Sequence, residues 1–447
     1  MIFEEMKQAL VSAAEVRGLT EYEIYYESSE DVTVETLKDE ISSFSSGMSG
    51  GVCFRCVVDG KMGYASGELM TADAMEELVA RAISNAKCID SEDKAIIFAG
   101  SEHYETVDLP RAELADAAQL RTAALELQRM TYAVSDKVGD GTQSLMTSGV
   151  AEVHLYNSHG LNLSKRVGMT AGYASAVVRD GEEAQEAYEA GLGCNAQELS
   201  ELPQKAVKKA LDKMGAVPVE SGKYNVVFAG EQFRQFLSTF SDVFSAKKAQ
   251  LGLSLLAGKE GETVAASCVT VTDDPLRAGH PMQTAFDGEG VATYRKNVIE
   301  NGVLKTLLYD LTTADKAGVA STGNGQKHGY SSAVSIEPYS FSLAAGDATR
   351  EELLKMANNG IFITECKGFH AGANAVTGDF SIESAGFRIR NGEQAEPIKS
   401  FTVAGNFFDL LKSVDRLGNE ILWSPLGGTT TFGSPDVLVK SMSVAGK

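Results

Sequence analysis

The first half of the chain switches repeatedly between helical and strand-like patterns of apolar residues. Apolar positions three or four apart predict amphipathic helices, whereas runs rich in Tyr, Val, Ile and Thr predict strands. In chain order the pattern predicts a helix from Phe3 that ends at Gly18, two strands within 21–44 joined near Ser29 and Glu30, strands over 52–58 and 61–66, helices over 72–88 and 110–132, a strand meander over 141–191 and a helix over 203–214. Asp59-Gly60 and Asp180-Gly181 supply hairpin turns.

A weak internal sequence repeat links the two parts of this half. Val57-Val58-Asp59-Gly60 precedes one predicted helix, and Val177-Val178-Arg179-Asp180-Gly181 precedes another. The two Asp-Gly pairs lie 121 positions apart. Two copies of a strand–hairpin–helix unit would explain this spacing, so internal duplication is a hypothesis beside chance similarity.

The second half is richer in strands and carries only short helices. A short buried strand over 224–228 precedes a predicted helix over 231–251, and strands dominate the remainder. Asn301-Gly302 and Asn391-Gly392 predict tight hairpins, because both residue types tolerate positive φ. Hairpins in place of βαβ crossovers, with the helices segregated from the strands, indicate an α+β fold.

Length and charge narrow the possible classes of protein. A chain of 447 residues suits two or three domains, and we expect an N-terminal α+β domain over 1–220 and a strand-rich C-terminal domain over 221–447. Hydrophobic residues at 43% and charged residues at 23% are close to the globular average, which excludes disorder, collagen and coiled coil as global descriptions. The net charge of −21 repels phosphate backbones and argues against direct nucleic-acid binding.

The N-terminus and the cysteines predict a cytoplasmic protein. The first residues show no basic segment followed by an apolar one, so a signal peptide is not expected. The sequence also lacks a run approaching the roughly 18 apolar residues that span a bilayer. Six cysteines spread over the whole chain do not have the density of a disulfide scaffold.

Three short motifs formally match catalytic or metal patterns, and each also has a structural explanation. Cys53-x-x-Cys56 has the spacing of a zinc or redox pair, but residues three apart in a strand point to opposite faces, so we expect two ordinary strand cysteines. Gly47-Met48-Ser49-Gly50-Gly51 matches a serine nucleophile elbow, but a strand follows where a helix is needed, which favours a flexible or sharply turned loop. Ser245 and Lys248 form a Ser-x-x-Lys motif that could activate a serine, although a solvated helix face is favoured.

Glycine-rich and acidic segments of the second half could also contribute to a site. The loop over 318–329 contains Ser321-Thr322-Gly323-Asn324-Gly325, whose backbone amides could bind an anion or only set the loop conformation. Carboxylates that could act as acids and bases are Asp273, Asp274, Asp287, Glu289 and Asp379. Turn-capping roles are favoured for them, because none of their spacings is specific. No zinc-binding spacing is found among the six histidines, His103, His154, His159, His280, His328 and His370.

A series of short motifs carries a resemblance to a known family. In the second half the motifs are Thr272-Asp273-Asp274-Pro275, Phe286-Asp287-Gly288-Glu289-Gly290, Ile299-Glu300-Asn301-Gly302-Val303-Leu304-Lys305, Ser321-Thr322-Gly323-Asn324, Thr377-Gly378-Asp379-Phe380-Ser381 and Ala404-Gly405-Asn406. In the first half, Gly51-Val52-x-x-Arg55 is followed by the Asp59-Gly60 turn. In this order and spacing they resemble the TldD/PmbA family, once labelled modulators of DNA gyrase. The resemblance covers nearly the whole chain.

The resemblance implies a fold and a partnership. Family members are two-domain α+β proteins with a duplicated N-terminal region. A TldD-type subunit carries His-Glu-x-x-x-His on a helix after a short strand, and a Cys near the C-terminus completes its zinc site. That subunit pairs with a PmbA-type (TldE-type) subunit to form a metallopeptidase that degrades unfolded or small peptides.

The sequence departs from the TldD-type pattern where zinc would bind. The helix after the strand over 224–228 reads Phe236-Leu237-Ser238-Thr239-Phe240-Ser241-Asp242, with no His, and the loop over 427–433 has no Cys. Ser, Thr and Phe cannot replace an imidazole or a thiolate as zinc ligands. No catalytic, cofactor-binding or metal-binding residue is therefore assigned, and the resemblance is to the PmbA-type subunit.

Three functions remain open. In the first, the chain is the zinc-free subunit of a heterodimer with a zinc-bearing TldD-type subunit, and it holds an extended peptide, for instance at a sheet edge. A homodimer of this chain is the alternative assembly. In the second, it is a zinc-independent hydrolase that uses Ser245 and Lys248 or the carboxylates near Asp287. In the third, it is a regulatory protein-binding factor that acts on DNA gyrase or a related target. Zinc is expected only in the partner, and neither nucleic acid nor membrane is expected to bind directly.

Overall fold

Two copies of one topology build a single antiparallel sheet in the first half of the chain. The structure is a computed structural model that describes residues 2–107, 109, 111–425 and 429–447. The first copy consists of α1 (Phe3–Val16), β1 (Tyr22–Leu37), β2 (Glu40–Val58), β3 (Lys61–Gly67) and α2 (Ala72–Cys88), and the second of α3 (Ala117–Ala133), β4 (Gln143–Asn157), β5 (Asn162–Asp180), β6 (Glu183–Leu192) and α4 (Glu201–Asp212). The strand order is β3-β2-β1-β4-β5-β6, so the copies meet at the β1–β4 pair. The repeated topology confirms the duplication that the two Asp-Gly turns indicated.

The helices of both copies cover one face of this sheet. Apolar residues of α1 and α2 pack on Ile24 and Phe54, while α3 packs on Val32 and Val34. Because side chains alternate along a strand, the opposite face carries a separate buried group that includes Tyr25, Cys53, Val153, Leu155 and Leu161. Within the described ranges, none of the helices is both long and apolar enough to cross a bilayer.

The first hairpin turns later than the pattern predicted. β1 continues through Ser29 and Glu30, so the predicted turn there is wrong. The chain reverses instead at Lys38 and Asp39, which both have positive φ (53° and 60°). Polar residues in a half-exposed strand resemble a turn when only the sequence is considered, and Ser29 makes a cross-strand bond of 2.8 Å to Ser49. The loop expected over 47–51 is also wrong, because this segment lies inside β2.

Two predicted helices differ from the observed ones. The helix expected from Pro110, a residue outside the described ones, begins at Ala117, because the carboxylate of Asp116 caps it by accepting the amides of Ala118 (2.9 Å) and Gln119 (3.0 Å). The helix expected over 231–251 ends at Thr239, is followed by a 3₁₀ turn over Ser241–Phe244, and resumes only after Ser245, whose extended backbone pairs with Leu308.

The second half is strand-rich, as predicted. Its elements are β7 (Gly222–Phe228), α5 (Gly230–Thr239), a 3₁₀ turn (Ser241–Phe244), α6 (Ala246–Gln250), β8 (Val271–Asp273), β9 (Lys296–Glu300), β10 (Val303–Leu304), α7 (Leu311–Ala317), β11 (Gly325–Gln326), β12 (Ser335–Ile336), β13 (Ser340–Leu343), α8 (Arg350–Ala357), β14 (Ile361–Lys367), α9 (Phe369–Gly372), β15 (Asp379–Arg390), β16 (Glu393–Asn406), α10 (Phe407–Lys412), β17 (Val414–Leu417), β18 (Leu422–Trp423), β19 (Thr431–Ser434) and β20 (Val437–Ala445). The sheet orders are β10-β9-β8-β13-β19-β18, β11-β12 and β16-β15-β14-β7-β20-β17. An additional β16–β20 pairing closes five strands into a small barrel. The Asn-Gly hairpins at 301–302 and 391–392 form as predicted, with positive φ at all four residues.

Replacing Gly63 with Ala should destabilise the first half, because β3 and α2 touch at this residue. A Cβ on Gly63 would lie 2.1 Å from the carbonyl oxygen of Ala82 and 2.6 Å from Cβ of Ala86, so the strand and helix must separate. We expect a loss of about 1–3 kcal/mol, measured as a lower midpoint of chemical unfolding. Gly67→Ala on the same strand is the control, because its Cβ would meet only Leu78 at 3.8 Å. Equal losses in the two variants would contradict this account.

Candidate functional site

The end of α5 is an aromatic core at the place where the resemblance implies a metal-binding helix. Phe236, Leu237 and Phe240 are fully buried. The ring of Phe240 stacks on Phe407 with 4.5 Å between centroids. Phe236 meets Phe369 and Phe380 edge-on at 4.9 and 5.0 Å. This last turn therefore packs α5 against α9, β15 and α10 and presents apolar rings where a zinc site would need polar ligands.

The polar groups at the start of α5 hold neighbouring backbone. The amide of Gly230 donates to the carboxylate of Asp436 (2.8 Å), which Arg350 also binds at 2.6 Å and 3.1 Å. Arg234 donates to the carbonyl of Trp423, and Gln232 accepts the amide of Cys366 at 3.0 Å. These contacts fix the helix to β14, β18 and the segment before β20.

The donor side chains do not fit a zinc ion. In the part of the chain that the structure describes, three or more His, Cys, Asp or Glu side chains do not converge as a metal site would need. His154 stacks on Phe3 and bonds Glu152 at 2.9 Å. His328 bonds a different carboxylate, that of Glu337, at 2.7 Å.

Cys53 and Cys56 lie on opposite faces of β2 in two different apolar clusters, as predicted. The C-terminal loop expected over 427–433 is described only from Thr429. Its threonines bond to neighbouring protein groups, as Thr430 does to the carbonyl of Pro338 at 3.0 Å.

The Ser-x-x-Lys motif is not arranged as a catalytic pair. Ser245 is buried and lies in the extended link before α6. Lys248 lies on α6, and its Nζ is 3.3 Å from the carboxylate of Asp242. A cation neutralised by a nearby carboxylate is poorly suited to accept the proton of a serine.

Asp273 lies at the centre of a fully buried polar cluster. One of its oxygens lies 3.1 Å from Nζ of Lys296 and 2.8 Å from Nδ2 of Asn324, and the other accepts the amide of Tyr339 at 2.7 Å. Asn324 also accepts from Lys296 at 3.2 Å. The carboxylate therefore links three separate segments and does not act as a turn cap, unlike Asp274, which accepts the amide of Leu276 at 3.1 Å.

Asp287 satisfies amides from two loops. Its Oδ1 accepts the amides of Glu289 (2.9 Å) and Val291 (3.0 Å), which is the predicted turn role, and its Oδ2 accepts the amide of Gly325 (2.9 Å). The anion bound by that amide of the glycine-rich loop is thus the protein's own carboxylate. Burial raises the pKa of Asp287 to about 6, although the three amides oppose this shift.

Glu289 lies beside it and faces a cleft between the two halves. Its Oε2 accepts the amide of Leu311, the first residue of α7, at 2.8 Å. Burial, followed by the charge of Asp287, raises the pKa of Glu289 to about 8. From the first half, Lys165 donates to Thr284 at 2.9 Å, and burial lowers its pKa to about 8. Arg55 binds Glu23 through Nε (2.9 Å) and a terminal nitrogen (2.6 Å).

The cleft beside Glu289 has a volume of about 710 Å³. Its walls are β2, β3, α6, α7 and the segment over 327–334. Its charged lining residues are Arg55, Asp93, Lys247, Glu289, Asp310, Lys316 and Lys327. Ion pairs Lys316–Asp93 (2.6 Å) and Lys94–Asp315 (2.9 Å) cross from one half to the other at its rim. Sequence patterns did not identify this cleft, because its residues come from segments far apart in the chain.

Comparison with known proteins identifies the family. The PmbA/TldA metallopeptidase C-terminal domain matches residues 221–446, domain 1 matches 22–86 and the central domain matches 108–214. The chain belongs to the PmbA/TldD metallopeptidase family.

Relatives match over most of their length. The chain is 28% identical to an uncharacterised protein of Methanocaldococcus jannaschii, over 92% of this chain and 94% of that one. A protein from Thermotoga maritima, whose crystal structure is described as a candidate modulator of a DNA gyrase, is 29% identical in sequence. Its structure matches with a TM-score of 0.88, over 99% of this chain and 100% of that one. TldE from Thermococcus kodakarensis has the same fold, with 22% identity, a TM-score of 0.87 and coverage of 98% of this chain and 99% of that one.

Glu289→Gln should change how stability depends on pH. Glutamine keeps an acceptor for the Leu311 amide but does not titrate. In the wild type this carboxyl takes up a proton on folding between its ordinary pKa of 4.5 and about 8, so its contribution is complete below 4.5 and lost as the pH rises to about 8. The variant should gain stability relative to wild type over that range and show no further gain above it. Unfolding midpoints across pH measure this, and a pH-independent difference would contradict it.

Proposed function

We propose that this chain is the zinc-free, PmbA/TldE-like subunit of a two-subunit metallopeptidase that degrades peptides or unfolded segments. A TldD-type partner would bring the zinc, and this chain would complete the cleft that holds the peptide. The observation that carries the proposal is the aromatic packing of Phe236, Leu237 and Phe240 at the end of α5. Family membership supports the reaction class.

The packing makes a zinc site in this helix chemically unfavourable. Zinc in a catalytic site takes about three protein ligands from His, Cys, Asp and Glu and keeps one open position. Phe236, Leu237 and Phe240 at the end of α5 are apolar and fully buried, and replacing a buried Phe by a smaller side chain costs about 3–5 kcal/mol. A ligand set here would therefore have to displace part of the core of the second half.

The cleft between the halves suits a peptide better than a nucleic acid. Its lining mixes both signs of charge with apolar groups such as Tyr64 and Val334, which matches the mixed chemistry of peptide side chains. The net charge of −21 would repel a phosphate backbone.

The proposal predicts that activity depends on a second subunit. The purified chain should bind less than stoichiometric zinc, measured by metal analysis, and should leave a fluorogenic peptide uncleaved. Co-expression with a zinc-bearing TldD-type subunit should give a stable complex that cleaves the peptide, because that partner supplies the metal and this chain completes the cleft.

The control is a complex whose partner has lost one zinc-binding His, which should assemble without activity. Full zinc occupancy and peptide cleavage by this chain alone would overturn the proposal. A stable, inactive homodimer that ignores the partner would also count against it.

A regulatory role on DNA gyrase is a second candidate, favoured by the similarity to the Thermotoga maritima structure. Because the net charge disfavours DNA contact, this role would use protein–protein contacts. Immobilised chain should then retain purified gyrase subunits in the absence of DNA and change the supercoiling rate. If the chain neither retains gyrase nor changes that rate, this candidate has no support.

A further inference from the structure

The outer half of β2 leaves one edge of the first sheet open. β2 pairs with β1 along its whole length, but β3 pairs with it only over 52–58. Within the described residues, 41–50 have no strand on the other side, and all residues from 42 to 49 are exposed. The backbone groups of this segment that point away from β1 are therefore available to another strand.

The open segment has one of the features that usually protect a sheet edge, a break in its pairing register with β1 at Ser42, and lacks the others. Natural edge strands are shielded by Lys, Pro, bulges or a covering element. Residues 41–50 contain no Lys, Arg or Pro. Phe44 and Met48 are four residues apart, so they share a face, and they are 51% and 80% exposed.

The equivalent edges elsewhere in the sheet are covered. β5 has the same length as β2, and other parts of the chain bond to its open stretch, 162–170. The side chain of Arg166 donates to the carbonyl of Ala112 at 2.8 Å, and the backbone carbonyl of Thr170 accepts the amide of Gly193 at 3.0 Å. On β3, the outward carbonyls of Tyr64 and Ser66 accept from Asn85 and Arg81 of α2.

Acidic side chains surround the open segment. Glu30, Asp31 and Glu35 lie on β1 beside it, and Glu40 begins β2. Among the described residues none of these four has an ion-pair partner. A second copy of the chain would bring the same acidic groups and a net charge of −21 to this edge, so charge complementarity favours a basic occupant.

We propose that residues 41–50 of β2 form a docking edge for an extended peptide segment that carries basic and apolar side chains. The segment would add as a seventh strand to the sheet, and its main chain would hydrogen-bond to β2. Its apolar residues would lie beside Phe44 and Met48, while its basic residues would lie on the opposite face of the sheet, which carries Asp31, Glu35 and Glu40. The inference rests on the proposed function in that a peptide is what this subunit would hold.

Binding of a designed strand tests this directly. The probe is a labelled ten-residue peptide in which Lys alternates with Val and Thr, followed by fluorescence anisotropy at low salt. We expect saturable binding that weakens as salt rises, because exposed charges are screened beyond roughly 10 Å at 0.1 M. A peptide with Glu in place of Lys should bind weakly, and one N-methylated at alternate residues should not bind, because it cannot complete the strand ladder. Equal binding of the N-methylated peptide would overturn strand addition.

Variants of the edge complete the test. Phe44→Ser with Met48→Ser should weaken binding about tenfold, equivalent to about 1.4 kcal/mol, because the added strand loses its apolar contacts with both side chains. Both residues are exposed, so the folded state should melt as the wild type does. Tyr188→Ser on β6, where the side chain is 61% exposed, is the matched control and should bind unchanged.

Unaltered affinity in the double variant would overturn the proposal. So would a change from dimer to monomer, measured by light scattering, because the edge would then join copies of this chain. Zinc content and peptide cleavage by the complex with a TldD-type subunit are measured without the strand peptide, so failure of strand addition and failure of the proposed function give different results.

Discussion

The packing of phenylalanine rings around the end of α5 is the interaction on which the second half depends. Phe236 and Phe240 connect this helix to α9, α10 and β15, and Phe228 of β7 meets Phe236 edge-on at 5.5 Å. One apolar cluster therefore joins the barrel to α5, the helix that follows its first strand. On our proposal this packing occupies the place of a metal centre, so that the same residues stabilise the subunit and leave the chemistry to its partner.

Buried charges have a different role at the junction of the two halves. Asp287 binds amides of two loops, Glu289 binds the start of α7, and Lys165 reaches across from β5. A buried charge is costly unless it is paired or hydrogen-bonded, so Asp287 and Glu289 require the loops of the second half to keep their positions, and Lys165 ties the first half to them through Thr284. Glu289, which lines the cleft, is held in place by this arrangement.

Sequence patterns predicted correctly those turns whose conformation is set by the residues of the turn itself. The Asn301-Gly302 and Asn391-Gly392 hairpins formed as expected, because positive φ is a local requirement. The turn at Lys38 and Asp39 was missed, since long paired ribbons tolerate polar residues that resemble a turn. The interruption of the helix expected over 231–251 was missed; Ser245 within that range pairs with Leu308, which lies far along the chain. The buried charges and the cleft could not be predicted for the same reason.

Duplication explains why one sheet presents two unlike edges. The two copies contain equivalent strands, β2 and β5, each 19 residues long. The linker before α3 and the second half cover the outer part of β5, whereas the outer part of β2 lies beyond the reach of both. Both copies build the same framework, so this unequal covering is one source of difference in what they can bind. The open strand exposes Phe44 and Met48, whereas edge strands are often protected by charge or proline.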